Sequence, residues 1–123
     1  MSWVKRVSVT VTTDAAGAAT GYTEAVNGVV SAIEYTKVDF DNGSTMTVSQ
    51  DRSGETIWTE ANVNASAIRR PRAATHSTAG AAALYAAGGV AVNDKIAVVD
   101  SRIKVVIASG GNTKTGTFTV VLE

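Results

Sequence analysis

The 123-residue chain has no cysteine, one proline, one histidine and a formal net charge of zero. Lacking cysteine, it has no disulfides, thiolate nucleophile or cysteine-ligated metal, and it suits a reducing compartment. A lone histidine, His76, has neither the companion ligands of a metal site nor a base-and-acid partner set that spacing could supply. With no net charge and a pI near 6.6, the chain carries no global field for nucleic acid or anionic lipid, so either partner would require a local basic patch. Long apolar runs are absent as well. Nowhere do about 18 apolar residues follow one another, and Met1-Ser2-Trp3-Val4-Lys5-Arg6 opens without an apolar stretch, so neither a signal peptide nor a membrane span is expected.

What the chain does have is alternation. Val7, Val9 and Val11 face one way and Ser8, Thr10 and Thr12 the other, the period of a strand with one wet side. Ile103, Val105 and Ile107, then Phe118, Val120 and Leu122, repeat the pattern around Ser109-Gly110-Gly111-Asn112, which predicts a terminal β-hairpin. From Tyr22 to Phe40 both faces are partly apolar, predicting a central strand with a turn or bulge at Asn27-Gly28. Turns at Asn42-Gly43 and Ser53-Gly54 would join it to two further strands in a meander. Asp14 to Gly21, rich in small residues, reads as a mobile loop. Ser77 to Gly89 is alanine-rich and ends in two glycines, as a helix of one or two turns would. The expected fold is therefore a single all-β domain over 1–123, an antiparallel β-sandwich or small β-barrel with at most one short helix, near residues 78–87.

The motifs favour structure over chemistry. Asp39-Phe40-Asp41-Asn42-Gly43 resembles the start of a calcium loop, but Gln50 stands where the bidentate glutamate belongs, so a turn is the better reading. Glu24, Glu34, Glu55, Glu60, Asp94 and Asp100 are scattered, and nothing selects a catalytic pair. Gly88-Gly89 and Gly110-Gly111 lack the lysine-serine sequel of a phosphate loop. No catalytic, cofactor-binding or metal-ligating residue is expected. Arg69, Arg70 and Arg72 form the one basic cluster, suited to phosphates or to a partner's carboxylates. Few aromatics are interleaved with it, so a nucleic-acid partner is not expected. Of the two tryptophans, Trp58 suits the core, while Trp3, close to the start of the sequence, suits a contact with another chain as well as it suits the core. Trp3, Arg69, Arg70 and Arg72 are thus the candidate interface residues.

The segment Asp100 to Phe118, with Arg70-Pro71-Arg72 and Ala86-Ala87-Gly88-Gly89 before it, resembles small virion proteins of tailed bacteriophages. The resemblance implies a non-enzymatic structural role, foremost a capsid decoration or cement protein on the major capsid lattice. A head-tail connector or tail component is the alternative within that class. It further implies a homo-oligomer assembled in the bacterial host cytoplasm and located in the virion, with the major capsid protein or other virion proteins as partners and no cofactor. Outside the class, a carbohydrate-binding β-sandwich would require exposed aromatics on one face, and an enzyme a cleft with converging ionisable groups.

Overall fold

A computed structural model describes residues 4–123, so Trp3 lies outside the described residues. Nine strands follow in order: β1 (Lys5–Thr12), β2 (Ala19–Lys37), β3 (Thr45–Gln50), β4 (Thr56–Glu60), β5 (Ala67–Arg69), β6 (Ala73–Ala74), β7 (Asn93–Asp94), β8 (Ile96–Ala108) and β9 (Thr115–Leu122). Among the described residues all strand pairings are antiparallel, in one main sheet of order β1-β9-β2-β8-β3-β4, with β5 also on β2 and β6-β7 pairing separately. The fold is all-β, as expected. Edge strands β1 and β4 do not pair with each other, so the sheet is sandwich-like and the barrel alternative is not realised.

The sandwich arises from one strand. The 19 residues of β2, if straight, would hold their ends about 60 Å apart at roughly 3.3 Å per residue. Instead Gly110 donates to the Gly17 carbonyl at 2.9 Å and accepts from the Asp41 amide at 2.9 Å, which brings the flanks of both ends of β2 to a single residue. Three register shifts, at Tyr22/Ala25, Val26/Gly28 and Val30/Ala32, take up the bend, as bulges do. Asn27-Gly28 is thus a bulge; Gly28 has φ 139°, and a side chain there would meet the Glu123 carbonyl at 2.8 Å. The first half of β2 pairs with β8, and the second half with β9 on one side and β5 on the other.

Because the sheet folds over, strands distant in its order meet across the core. Phe118 of β9 lies 6.5 Å from the Trp58 ring of β4 and 5.0 Å from Tyr35, which stacks in turn on Phe40 at 6.1 Å. Gly21 of β2 sits directly beneath Val9 and Val11 of β1. The alternation read in the sequence supplies this core: Ile103, Val105, Ile107, Phe118, Val120 and Leu122 are all buried, as is Trp58. Burial of such side chains contributes about 1.5–3 kcal/mol each.

Three local expectations are corrected. The terminal hairpin does not form, because β2 lies between β8 and β9; the turn at 109–114 crosses from one half of the folded sheet to the other. For the same reason Asn42-Gly43 does not make a β2-β3 hairpin, since β3 pairs with β8 and β4. Residues 77–89 form turns and isolated bridges, and there is no helix among the described residues. The glycines Gly80 and Gly88, at φ 81° and 71°, impose tight reversals that suit two short hairpins better than one helix.

The fold predicts contrasting substitutions. A β-carbon at Gly110 would come within 2.9 Å of the Thr13 Cγ2 and 3.0 Å of the Ile107 Cγ2, both on stiff β-branched side chains. Gly110→Ala should therefore cost about 1–3 kcal/mol, as overpacking does. The Tyr35 hydroxyl is buried without a hydrogen-bond partner, and burial, with the charge of Asp39 second, pushes its pKa up to about 12. Tyr35→Phe should be neutral or stabilising, by about 1 kcal/mol at most. Urea unfolding of both variants checks the pair; a tolerated Gly110→Ala or a costly Tyr35→Phe contradicts this core.

Candidate interaction surfaces

Of the sequence-predicted arginines, Arg69 ends the short β5 strand and Arg70 and Arg72 follow it, and they separate by role. The Arg69 Nε and Nη2 donate to Glu60 Oε1 and Oε2 at 2.8 and 2.9 Å, and the indole of Trp58 donates to the same carboxylate at 3.1 Å. This fork-on-carboxylate contact ties β5 to the end of β4 and holds the Glu60 carboxyl below the usual carboxylate range, the Arg69 hydrogen bond being the largest cause. Arg69 is thereby engaged inside the chain. Arg70 is exposed. Arg72 is exposed too, with its Nη1 donating to the Pro71 and Ser31 carbonyls at 2.8 and 3.3 Å. The structure therefore places Arg70 and Arg72 on the surface, beside the bend of β2.

The segment read as a mobile loop is tied down. Asp14 Oδ1 accepts from the amides of Ala16 and Ala18 at 2.9 and 3.1 Å, an Asx-type turn, and Ala19 to Gly21 already belong to β2. Gly17 and Asp14 also accept from Gly110 and Thr113. These bonds occupy the segment within its own domain.

The surface that sequence reasoning missed is the excursion between β5 and β8. Residues 73–94 leave the sheet where β6 and β7 pair, and then divide into two turned lobes around a ring of three backbone hydrogen bonds. The Thr75 amide donates to Val92 at 2.8 Å, Val92 to Ala83 at 2.9 Å, and Ala83 to Thr75 at 3.0 Å. His76 bridges Ala82 in one lobe, and Leu84 bridges Ala91 at the base of the other. The second lobe carries Leu84, Tyr85 and Val90 at 42, 75 and 74% exposure. From Ser77 to Asn93 no residue is charged, so only backbone and uncharged side chains meet the solvent there. The signal in the sequence was that uncharged run itself, but alanine richness made it look helical.

Elsewhere five pairs of ionisable groups form at the surface among the described residues: Lys5 with Glu24, Arg6 with Glu34, Arg52 with Asp100, Lys95 with Glu123 and Arg102 with Asp51. Asp39 accepts from the Thr115 amide at 2.7 Å and so ties the segment after β2 to the start of β9. Among the described residues no group of three histidines, cysteines or carboxylates could hold a metal ion, and no helix is long and apolar enough to cross a membrane. Comparison with protein families and with curated proteins finds no match to this chain.

The Glu60 pair carries a pH prediction. Folded Glu60 binds its proton more weakly than an unfolded glutamate with pKa about 4.3. Its contribution is therefore fully present above that value and is lost as pH falls through the lower folded pKa. For a pair this exposed, that contribution is about 1 kcal/mol or less. Glu60→Gln should lower stability at neutral pH by that amount and flatten the acid limb of stability against pH. An unchanged acid limb would show that the pair contributes nothing.

Proposed function

We propose that this chain is a non-enzymatic structural virion protein of a tailed bacteriophage, foremost a capsid decoration or cement protein. One observation carries the reading: the arm at 73–94 exposes Leu84, Tyr85 and Val90 on an element that adds little to the domain's own core. An apolar, uncharged surface held out on a rigid body suits contact with protein, since interface cores are depleted of charge and enriched in aromatics. Exposed Arg70 and Arg72 stand just before the arm and supply a polar rim able to take a partner's carboxylates. The resemblance of the second half to phage virion proteins gives the partner class, the major capsid protein or another virion protein. Arg69 leaves the interface set, because Glu60 already engages it. A connector or tail location fits the same surface. The carbohydrate reading fits less well, because the exposed tyrosines stand apart: Tyr22 lies on β2 under the guanidinium of Arg102, at 4.1 Å, while Tyr85 lies on the arm.

In a lattice each contact can be weak, because neighbouring equivalent sites raise the effective concentration. Replacing Arg70 and Arg72 together with alanine should lower occupancy on purified phage particles while leaving the circular dichroism spectrum unchanged. Occupancy equal to wild type would remove these arginines from the interface. A wild-type protein that never co-purifies with particles would end the virion reading.

A further inference from the structure

The arm has a counterpart on the same chain. Where β5 pairs with the second half of β2, an open concavity of about 550 Å³ is lined by Glu34, Tyr35, Thr36, Ser66, Ala67 and Ile68. Ile68 stands at its wall, 55% exposed, and no residue of the arm lines it. We propose that this concavity receives the apolar lobe of a second copy, with Leu84, Tyr85 and Val90 of one chain seated against Ile68, Ala67 and Thr36 of the next. The inference deepens the assembly reading above and rests on it.

Three features fit a second copy as the occupant. Size is the first, since the concavity falls in the range that takes a few side chains, as a tyrosine with two aliphatic neighbours requires. Charge is the second. The lobe brings none, and the one carboxylate lining the concavity, Glu34, already has Arg6 as its partner, so docking strands no unpaired charge in a drying interface. Topology is the third. β5 and β8 lie along the same side of β2, pairing with residues 33–35 and 19–30, and the arm leaves the chain between them. Donor and acceptor are therefore different patches of one chain, so each copy both gives and receives an arm, in a reciprocal dimer, a ring or a filament.

One lobe buries less than the roughly 800 Å² per partner of a standard interface, so assembly should rise with concentration. Sedimentation of the full chain over a concentration series tests this. Wild type should grow beyond the monomer, whereas Tyr85→Asp and Ile68→Asp should each weaken association by about thirty-fold, the loss of a hot-spot side chain, with unchanged circular dichroism and melting. Mixing the two variants discriminates further. One intact lobe and one intact concavity remain between them, so the mixture should form heterodimers and nothing larger. Wild type that stays monomeric throughout, or Ile68→Asp that assembles like wild type, overturns the proposal. So does a mixture that fails to form heterodimers while both variants remain folded. A monomeric wild type that still binds phage particles would leave the virion reading standing and overturn only this one.

Discussion

Gly110 holds the fold together through two backbone hydrogen bonds, one to Gly17 before β2 and one from Asp41 after it. A strand of that length cannot return to its starting point unless it bends sharply, and bending it folds the sheet on itself. Everything buried depends on that closure. Phe118 meets Trp58 only because the two halves of β2 belong to facing parts of the sheet, and Gly21 lies beneath Val11 for the same reason. The missing side chains at Gly21 and Gly110 are thus packing requirements, set by how closely the layers approach.

The bend also determines where the surface features lie. On one edge of β2, β8 and β5 pair with successive parts of the strand. Between those two pairings the chain is free to leave the sheet, and residues 73–94 do so. Arg72 spans the gap by donating to Ser31, while Lys95 at the return of the arm pairs with Glu123 at 2.6 Å. The arm is thus held at both roots by contacts to the strands that form the bend. Beyond the roots, backbone hydrogen bonds and those of the Thr75 and Ser77 hydroxyls organise it, and a small sheet without a hydrophobic face is marginal alone. Contact with another chain would supply the missing face.

Much of the fold was legible in the residues, because side-chain alternation is local. The buried faces of β3, β8 and β9, the core position of Trp58 and the turn at Ser53-Gly54 follow from period and turn chemistry. Strand partners were not legible. Ile103 to Phe118 reads as a hairpin from its local pattern, but whether neighbouring strands pair depends on what lies between them, and β2 is more than sixty residues away in sequence. The arm was missed for another reason. Ala81 to Ala87 has helical propensity, but Gly80 and Gly88 at positive φ close two short turns, and tertiary placement overrode propensity. Of the proposed surface, Arg70 and Arg72 were legible from their charge. Leu84, Tyr85 and Val90 were not, because an apolar residue in sequence carries no mark of whether its own core will bury it.

The central claim is that a stiff, self-sufficient body presents one unsatisfied element, the arm. Amide hydrogen exchange at low and high protein concentration tests it most directly. The account predicts that amides in Val30–Tyr35 and Phe118–Leu122 exchange slowly at both concentrations, whereas those from Thr75 to Val92 exchange fast when dilute and slow down as concentration rises. Arm exchange that does not respond to concentration, with slowing instead along the β1 or β4 edge, would contradict it.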